Sequence, residues 1–211
     1  MNKIVNNKIK FLAIVIFLLF SQSTQTVAAD VSALTQSAEQ GDAQAQVNLG
    51  FMYSNGKQVK QDNKKAAEWY SKAAQQGNAV AQFNLGSMYL SGDGVKKDTK
   101  KAVELYSKAA EQGFEYAQLK LGIMYYKGEN VAENKKKAVE WYTKAAEKGN
   151  DKAQSMLGYM YSNGEGVAAD KKKAFEWYTK ASLKGNSEAQ YSLGNMYLKG
   201  EGVKKESKKG V

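Results

Sequence analysis

Apolar residues recur along this chain at helical spacing, and the whole pattern returns every 36 residues. Ala81, Leu85 and Met88 lie at positions i, i+4 and i+7, which places them on one face of a helix. The pattern predicts this helix over about residues 79–90. Equivalent Ala-Gln pairs begin at Ala45, Ala81, Ala117, Ala153 and Ala189, and Leu-Gly pairs begin at Leu49, Leu85, Leu121, Leu157 and Leu193. A fixed period in this range predicts a solenoid built from one supersecondary unit.

A second helix is predicted in each repeat, beginning at a side chain that can cap it. Asp98 begins one copy, and its counterparts are Asp62, Asn134, Asp170 and Glu206. Asp and Asn are good N-caps because the side chain accepts a hydrogen bond from a free backbone N–H. Ala102 and Tyr106 continue at helical spacing, and Gly113 ends the helix. Each repeat is therefore predicted to be two antiparallel helices, neither of which buries its apolar face alone.

The segment Gly92-Asp93-Gly94-Val95 joins the two helices of one repeat. Its glycines supply the positive φ that a helix C-terminus often needs, and Val95 is predicted to fold back onto the core. Gln58 and Asn130 replace the second Gly in the first and third copies. Asn tolerates the left-handed conformation, whereas Gln does so less well. A local cost is therefore predicted in the first repeat.

The full pattern is Ala-x-x-x-Leu-Gly-x-x-Tyr, then Gly-x-Gly-Val, an Asp, Lys-Ala-x-x-Trp-Tyr-x-Lys-Ala-Ala and a closing Gly. Over about residues 37–205 this pattern resembles the Sel-1-like repeat family. The resemblance implies an all-α fold, a right-handed α/α superhelical solenoid of helix–turn–helix repeats. It also implies a role as an adaptor or scaffold in protein complexes. Bacterial proteins of this kind are often exported and linked to envelope stress, secretion systems or host interaction.

The repeats divide the chain into predicted segments. Residues 42–205 hold four full repeats and the first helix of a fifth, and residues 206–211 form a truncated or frayed tail. The last helix is either a cap or the start of a repeat that continues in a longer chain. Residues 30–41 resemble a second helix without the Trp-Tyr pair and are predicted to form a short capping helix.

The first 29 residues have the features of a cleaved signal peptide. Lys3, Lys8 and Lys10 precede a wholly apolar run over residues 11–20, and Ala29 ends a small-residue cleavage site. The run is about half of the ~20 residues that span a bilayer, although an uncleaved anchor is the alternative. We therefore expect a bacterial periplasmic or secreted protein with no transmembrane span after cleavage.

The amino-acid composition limits the kinds of functional site that the chain can form. The chain has no Cys and no His, so it lacks thiolate ligands, a Cys nucleophile and the commonest general base. We therefore expect no enzyme activity, no metal and no cofactor. The formal net charge is +10, and every basic residue is Lys. Because bidentate base and phosphate recognition favours Arg, specific nucleic-acid binding is not expected.

The lysines cluster at the start of each second helix, where the helix dipole disfavours cations. The runs are Lys96-Lys97, Lys100-Lys101, Lys135 to Lys137, Lys171 to Lys173, Lys204-Lys205 and Lys208-Lys209. Stacking of the repeats would align these runs into one ridge. The ridge is either a solvated edge or a surface for an anionic lipid, polysaccharide or acidic protein.

Partner-binding candidates are first-helix positions that change between repeats or expose apolar groups. They are Phe51, Phe83, Asn84, Tyr116, Lys120, Ile123, Tyr159 and Tyr191. In related superhelices the first helix lines the concave surface, so these side chains are predicted to meet a protein or peptide there. The alternative is that some of them pack against the second helix.

Three functions are compatible with the sequence. The first is an exported, non-enzymatic scaffold that mediates protein–protein interaction through its concave surface in envelope, secretion or host-interaction processes. The second is a hydrolase acting on peptidoglycan or a β-lactam, which the absence of His and Cys disfavours. The third is an immunity protein that neutralises an exported toxin.

Overall fold

A computed structural model describes residues 30–202 of the chain. The described residues form ten α-helices and no strand. The predicted signal peptide over 1–29, Glu206 and the predicted tail over 206–211 lie outside the described residues. The helices are α1 (30–39), α2 (Ala43–Asn55), α3 (Asn63–Gln75), α4 (Ala79–Ser91), α5 (Thr99–Glu111), α6 (Glu115–Lys127), α7 (Lys135–Glu147), α8 (Asp151–Asn163), α9 (Lys171–Leu183) and α10 (Ser187–Lys199).

The described helices form two compact units. The first contains residues 30–78 with Asp93–Val95, and the second contains residues 79–92 and 96–202. In the second unit α4 packs on α5, α6 on α7 and α8 on α9, so helix pairs repeat as predicted. Successive pairs meet through α5 and α6, α7 and α8, and α9 and α10. The predicted all-α solenoid of helix–turn–helix repeats is confirmed.

The second helix of each repeat begins at the predicted capping residue. The Asp98 carboxylate accepts the backbone N–H of Lys101 at 3.0 Å, while the backbone N–H of Asp98 donates to the Tyr89 carbonyl at 2.9 Å. The Lys101 ammonium group in turn lies 4.4 Å from the centroid of the Tyr89 ring. One cap therefore ties the end of the first helix to the start of the second. The other pairs are Lys65 on Tyr53, Lys137 on Tyr125 and Lys173 on Tyr161.

Each helix pair is held together by a Tyr ring packed on a Gly. Tyr106 is 1% exposed and lies over Gly86, as the missing side chain at that position predicts. The same contact joins Gly50 to Tyr70, Gly122 to Tyr142 and Gly158 to Tyr178. Small alanines such as Ala109 and Ala110 then let the next repeat approach closely.

Buried glutamines join neighbouring repeats. Gln118 and Gln154 are almost fully buried, and their amide groups donate to the carbonyls of Ala110 and Ala146 at 3.0 Å. One repeat earlier, Gln82 Oε1 accepts a hydrogen bond from Gln112 at 2.7 Å. The Oε1 atoms of Gln118 and Gln154 have no hydrogen-bond partner within the described part of the chain. The cause is a change of residue, because Lys148 and Lys184 stand at the positions equivalent to Gln112.

The loops between the two helices of a repeat have the left-handed backbone conformation that their glycines predict. The two loop positions where another residue replaces the second Gly have the same conformation. Gln58 has φ 64° and Asn130 has φ 63°. Val59, Val131 and Val167 are partly buried against the core clusters, as predicted. The loop that carries Gly166 approaches the backbone of Lys135, so that a Cβ at position 166 would clash with the Lys135 carbonyl. The close approach explains the Gly at this position.

Candidate binding site

A cavity of about 460 Å³ opens between α6, α8 and the N-terminus of α10 in the second unit. We name it the α6–α8–α10 cavity. Its walls combine apolar residues of α6 and α8 with charged residues at the rim. They are Leu119, Ile123, Tyr126, Lys127, Tyr142, Lys152, Met156, Asn186, Ser187 and Glu188. Leu119, Ile123 and Tyr126 lie on one face of α6 because they are four and three residues apart.

Smaller side chains open this cavity. One repeat earlier, the ring of Phe83 lies 5.4 Å from that of Phe114, which lies 5.5 Å from that of Tyr116. The residues at the equivalent positions are Leu119, Asn150 and Lys152. The aromatic stack therefore has no counterpart at the cavity, where one aliphatic and two polar residues replace three rings. Space that aromatic rings occupy in one repeat is open to a ligand in the next.

Three charged side chains stand at the rim. Lys127 lies 3.6 Å from Glu129, and both side chains are more than half exposed. Such an exposed pair contributes little, about 0–1 kcal/mol, so Lys127 keeps most of its freedom. Lys152 on α8 and Glu188 on α10 are exposed, and within residues 30–202 neither forms an ion pair. The rim therefore carries two positive groups and one negative group.

A polar network fixes one wall of the cavity. Lys135 Nζ lies 2.8 Å from Oε2 of Glu165, and Tyr126 and Tyr159 lie close enough to the same carboxylate to act on its pKa. Lys135, assisted by the two hydroxyls, lowers the pKa of Glu165. Burial and the carboxylate raise the pKa of Tyr126 above its ordinary value. Because all these groups are engaged with one another, the network positions Tyr126 rather than supplying a free acid or base.

The structure places the eight predicted partner residues on several helices. Ile123 lines the cavity, whereas Tyr159 is exposed on α8 and is not a lining residue. Phe83 is half-buried, with its ring 5.4 Å from those of Tyr106 and Phe114. The remaining residues lie on α2, α4, α6 and α10, where Asn84 and Lys120 are half-buried and Phe51, Tyr116 and Tyr191 are exposed. Their binding of a partner stays a prediction.

Several residues of the site were not predicted. Tyr126, Lys127 and Lys152 line the cavity but were not among the candidates. A signal was present, because these positions also change between repeats: Ser54, Leu90, Tyr126, Ser162 and Leu198 occupy one series. The sequence gives no distance between helices, so the contact of α6 with the N-terminus of α10 around one cavity was not visible.

The lysine runs divide into three structural roles. The first Lys of a run pairs with an acid of the next loop: Lys135 with Glu165, and Lys171 with Glu201 at 3.1 Å. The third Lys of a three-residue run lies over a Tyr ring, as at Lys137 and Lys173, and Lys101 at the same repeat position does the same. The second Lys is exposed, as at Lys136 and Lys172, and so is Lys100 at the same repeat position. An anionic partner for these second lysines stays a prediction.

Within residues 30–202, no group of three or more Asp or Glu side chains is placed to hold a metal ion. No helix in this range is long and apolar enough to cross a membrane.

Comparison with known proteins gives a consistent result. The family model of the Sel1 repeat matches five consecutive segments, residues 43–78, 79–114, 115–150, 151–186 and 187–211. The chain is 42% identical to c5321, a protective antigen of uropathogenic Escherichia coli with an SLR fold, at a TM-score of 0.79. It is 39% identical to a Sel1 repeat protein of Oxalobacter formigenes, at a TM-score of 0.71. The alignments cover 82% and 77% of this chain but 37% and 66% of those chains.

A weaker similarity reaches a protein with a stated role. The immunity protein Pa5087 of Pseudomonas aeruginosa is 26% identical to this chain, with a TM-score of 0.50. The alignment covers 75% of this chain and 59% of that chain. The curated proteins contain no match.

Proposed function

Since this chain belongs to the Sel1 repeat family, whose scaffolds are typical of protein–protein interaction, we propose that it binds a partner protein through the α6–α8–α10 cavity. The single observation that carries the proposal is the cavity itself. It is about 460 Å³ in volume and lined by Leu119, Ile123 and Met156, at positions that the repeat leaves free to vary. The rest of the repeat holds these side chains in place, and the cavity binds a segment of the partner.

The chemistry of the chain favours binding over catalysis. It contains no His and no Cys. The carboxylate with the clearest electrostatic perturbation, Glu165, is paired with Lys135 and has a lowered pKa, whereas a general acid needs a raised one. We therefore propose a non-enzymatic role. Turnover of peptidoglycan or a β-lactam by the purified chain would contradict it.

We also propose that the protein is exported. The support is the pattern of residues 1–29, with three lysines, an apolar run and a small-residue site ending at Ala29. Fractionation of the bacterium followed by N-terminal sequencing tests this proposal. A mature protein that begins at Asp30 in the periplasm or medium supports it, and an intact Met1 in the cytoplasm contradicts it.

Site-specific photocrosslinking tests the binding proposal. A photoreactive residue at position 156 is expected to capture a partner, whereas the same residue at position 172, exposed on α9, is not. Leu119→Trp fills the cavity and is expected to abolish the adduct at position 156. A circular dichroism spectrum equal to that of the wild type verifies folding of each variant. An adduct that survives Leu119→Trp, or that forms equally at position 172, removes the cavity from the proposal.

A second candidate is toxin neutralisation. The observation that favours it is the similarity to the immunity protein Pa5087. Co-expression with the product of any neighbouring toxin gene tests this candidate. Rescue of growth that is lost with Leu119→Trp would identify the toxin as the partner, and absence of rescue would leave the general binding proposal as the better one.

A further inference from the structure

We infer that the α6–α8–α10 cavity selects peptide segments in which an apolar side chain stands next to an acidic residue. This inference rests on the proposed function and specifies the chemistry of the bound segment. It combines two observations, the apolar wall and the charge distribution of the rim.

The wall fixes the apolar part of the ligand. Leu119, Ile123 and Met156 present aliphatic and thioether surface around a volume of about 460 Å³. Full burial of one large apolar side chain strengthens binding about 10- to 150-fold, which is a sufficient anchor for a short segment. Met156 is flexible and polarizable, so the wall adapts to aliphatic or aromatic side chains. Tyr126 also lines the cavity and adds the surface of its ring to this wall.

The rim fixes the charge of the ligand. Lys127 on α6 and Lys152 on α8 line the same cavity as the apolar wall. Lys152 forms no ion pair with residues 30–202, and the exposed pair of Lys127 with Glu129 is long. Both ammonium groups are therefore available to a carboxylate. Glu188, in the first turn of α10, lines the same cavity and repels an acidic residue of the ligand, which therefore pairs with the lysines of α6 and α8.

The charge of the whole chain favours the same ligand over other occupants. Its formal net charge is +10, and it is +7 without residues 1–29, because 28 Lys then face 21 acidic residues. A second copy is therefore repelled, and an acidic partner is attracted over longer range. The basic residues are all Lys, which disfavours specific contacts to nucleic-acid bases. A peptide segment with acidic and apolar residues therefore complements both the lysines at the rim and the positive net charge of the chain.

Selection from a random 12-residue peptide library displayed on phage tests the inference on the full chain. The expected consensus is Leu, Ile, Met or Phe adjacent to Asp or Glu. The enriched peptides are then synthesised and measured by fluorescence anisotropy. Replacing both rim lysines, as Lys127→Glu with Lys152→Glu, is expected to weaken binding about tenfold, since each exposed charge pair contributes up to about 1 kcal/mol.

Two controls separate the possible outcomes. Glu188→Lys changes the charge of the same rim and is expected to keep or strengthen binding of the same peptides. Leu119→Phe restores an aromatic residue at the Phe83 position and is expected to abolish binding. A consensus without acidic residues, or affinities that ignore the lysine variants, overturns the inference and leaves peptide binding intact. Peptides that ignore Leu119→Phe, or a selection without enrichment, overturn both the inference and the assignment of the cavity.

Discussion

The ring of Tyr142 lies against Gly122 so closely that a Cβ at position 122 would stand 2.6 Å from Cδ1 of the ring. Real Cβ atoms do not approach other atoms this closely, so the two helices α6 and α7 meet through a missing side chain. The Gly is thus required by the second helix, which brings its Tyr to the same place in each complete repeat. In α10, apart from its chain neighbours and its own helix backbone, no atom of residues 30–202 lies within 4 Å of a Cβ placed at the equivalent Gly194.

Ala substitution is expected to have opposite effects at these two glycines. Gly122→Ala overpacks the Tyr142 ring and is expected to lower the free energy of unfolding by about 1–3 kcal/mol. Gly194→Ala, in a helix without that contact, is expected to raise it by about 0.5–1 kcal/mol, because Ala restricts the unfolded chain. Urea unfolding followed by circular dichroism measures both. Shifts in the same direction would contradict the role of the Tyr contact.

Lys148→Gln is expected to stabilise the chain by about 1 kcal/mol. The substitution recreates the residue that pairs with a buried Gln one repeat earlier, and it gives Gln118 Oε1 a donor. Lys148→Met removes the same ammonium group, including its hydrogen bond to the Gly113 carbonyl, without supplying an amide. Thermal unfolding of the two variants distinguishes the explanations. Equal stabilisation by Met and Gln would show that loss of the lysine, rather than the new hydrogen bond, is responsible.

Gln58→Gly is expected to stabilise the first unit by about 1 kcal/mol, because Gln58 has φ 64° and a left-handed L-residue costs roughly 1–2 kcal/mol. Asn130→Gly is the matched control in the second unit at φ 63°. Asn accepts this conformation more readily, so a smaller gain is expected. Amide hydrogen exchange around each loop reports the local change. A larger gain at position 130 than at position 58 would contradict the argument.

Stability is expected to fall above about pH 10. Burial raises the pKa of Tyr142, so the folded chain retains a proton that the unfolded chain loses above its ordinary tyrosine pKa of about 10. The stabilisation is therefore complete below pH 10 and is lost as the pH rises further. Each such group contributes a slope of up to about 1.4 kcal/mol per pH unit.

Tyr142→Phe tests this dependence. The variant is expected to match the wild type near neutral pH and to lose stability less steeply between pH 10 and 11. Tyr106, Tyr126 and Tyr178, whose pKa values burial also raises, each contribute a slope of their own. Urea unfolding at a series of pH values gives the comparison. An identical slope in both proteins would show that Tyr142 ionises in the folded state as easily as in the unfolded one.

The fold was predictable because the contacts that define each helix pair recur from repeat to repeat. Asp98 as a cap, Gly86 beneath a neighbouring helix and Val131 against the core were each visible as a residue type that returns at the same spacing. A residue type that occupies the same position in successive repeats indicates a packing or capping contact that each repeat makes. Residue types and spacing therefore determined the helix pairs without any knowledge of distances.

The cavity was not predictable by the same reasoning, because it results from differences between repeats. Ile123 was a candidate, but Lys127, Lys152 and Glu188 come from three helices whose approach the sequence does not state. The lysine runs show a second limit. Charge alone suggested one uniform ridge, whereas side-chain reach gives Lys135 an acid and Lys101 an aromatic ring.

The aromatic stack of Phe83, Phe114 and Tyr116 has a consequence for how such a chain can change its ligand. The aromatic stack in one repeat and the open cavity in the next differ at these three side-chain positions. None of the three belongs to the recurring residues that pack the repeats together. Exchanging these few residues between equivalent positions of two repeats is therefore expected to move the cavity to another repeat. The residues that pack the helices together would not change. Under the proposed function, the location of the ligand site would depend on which repeat carries the smaller side chains, and divergence of the repeats would change its specificity.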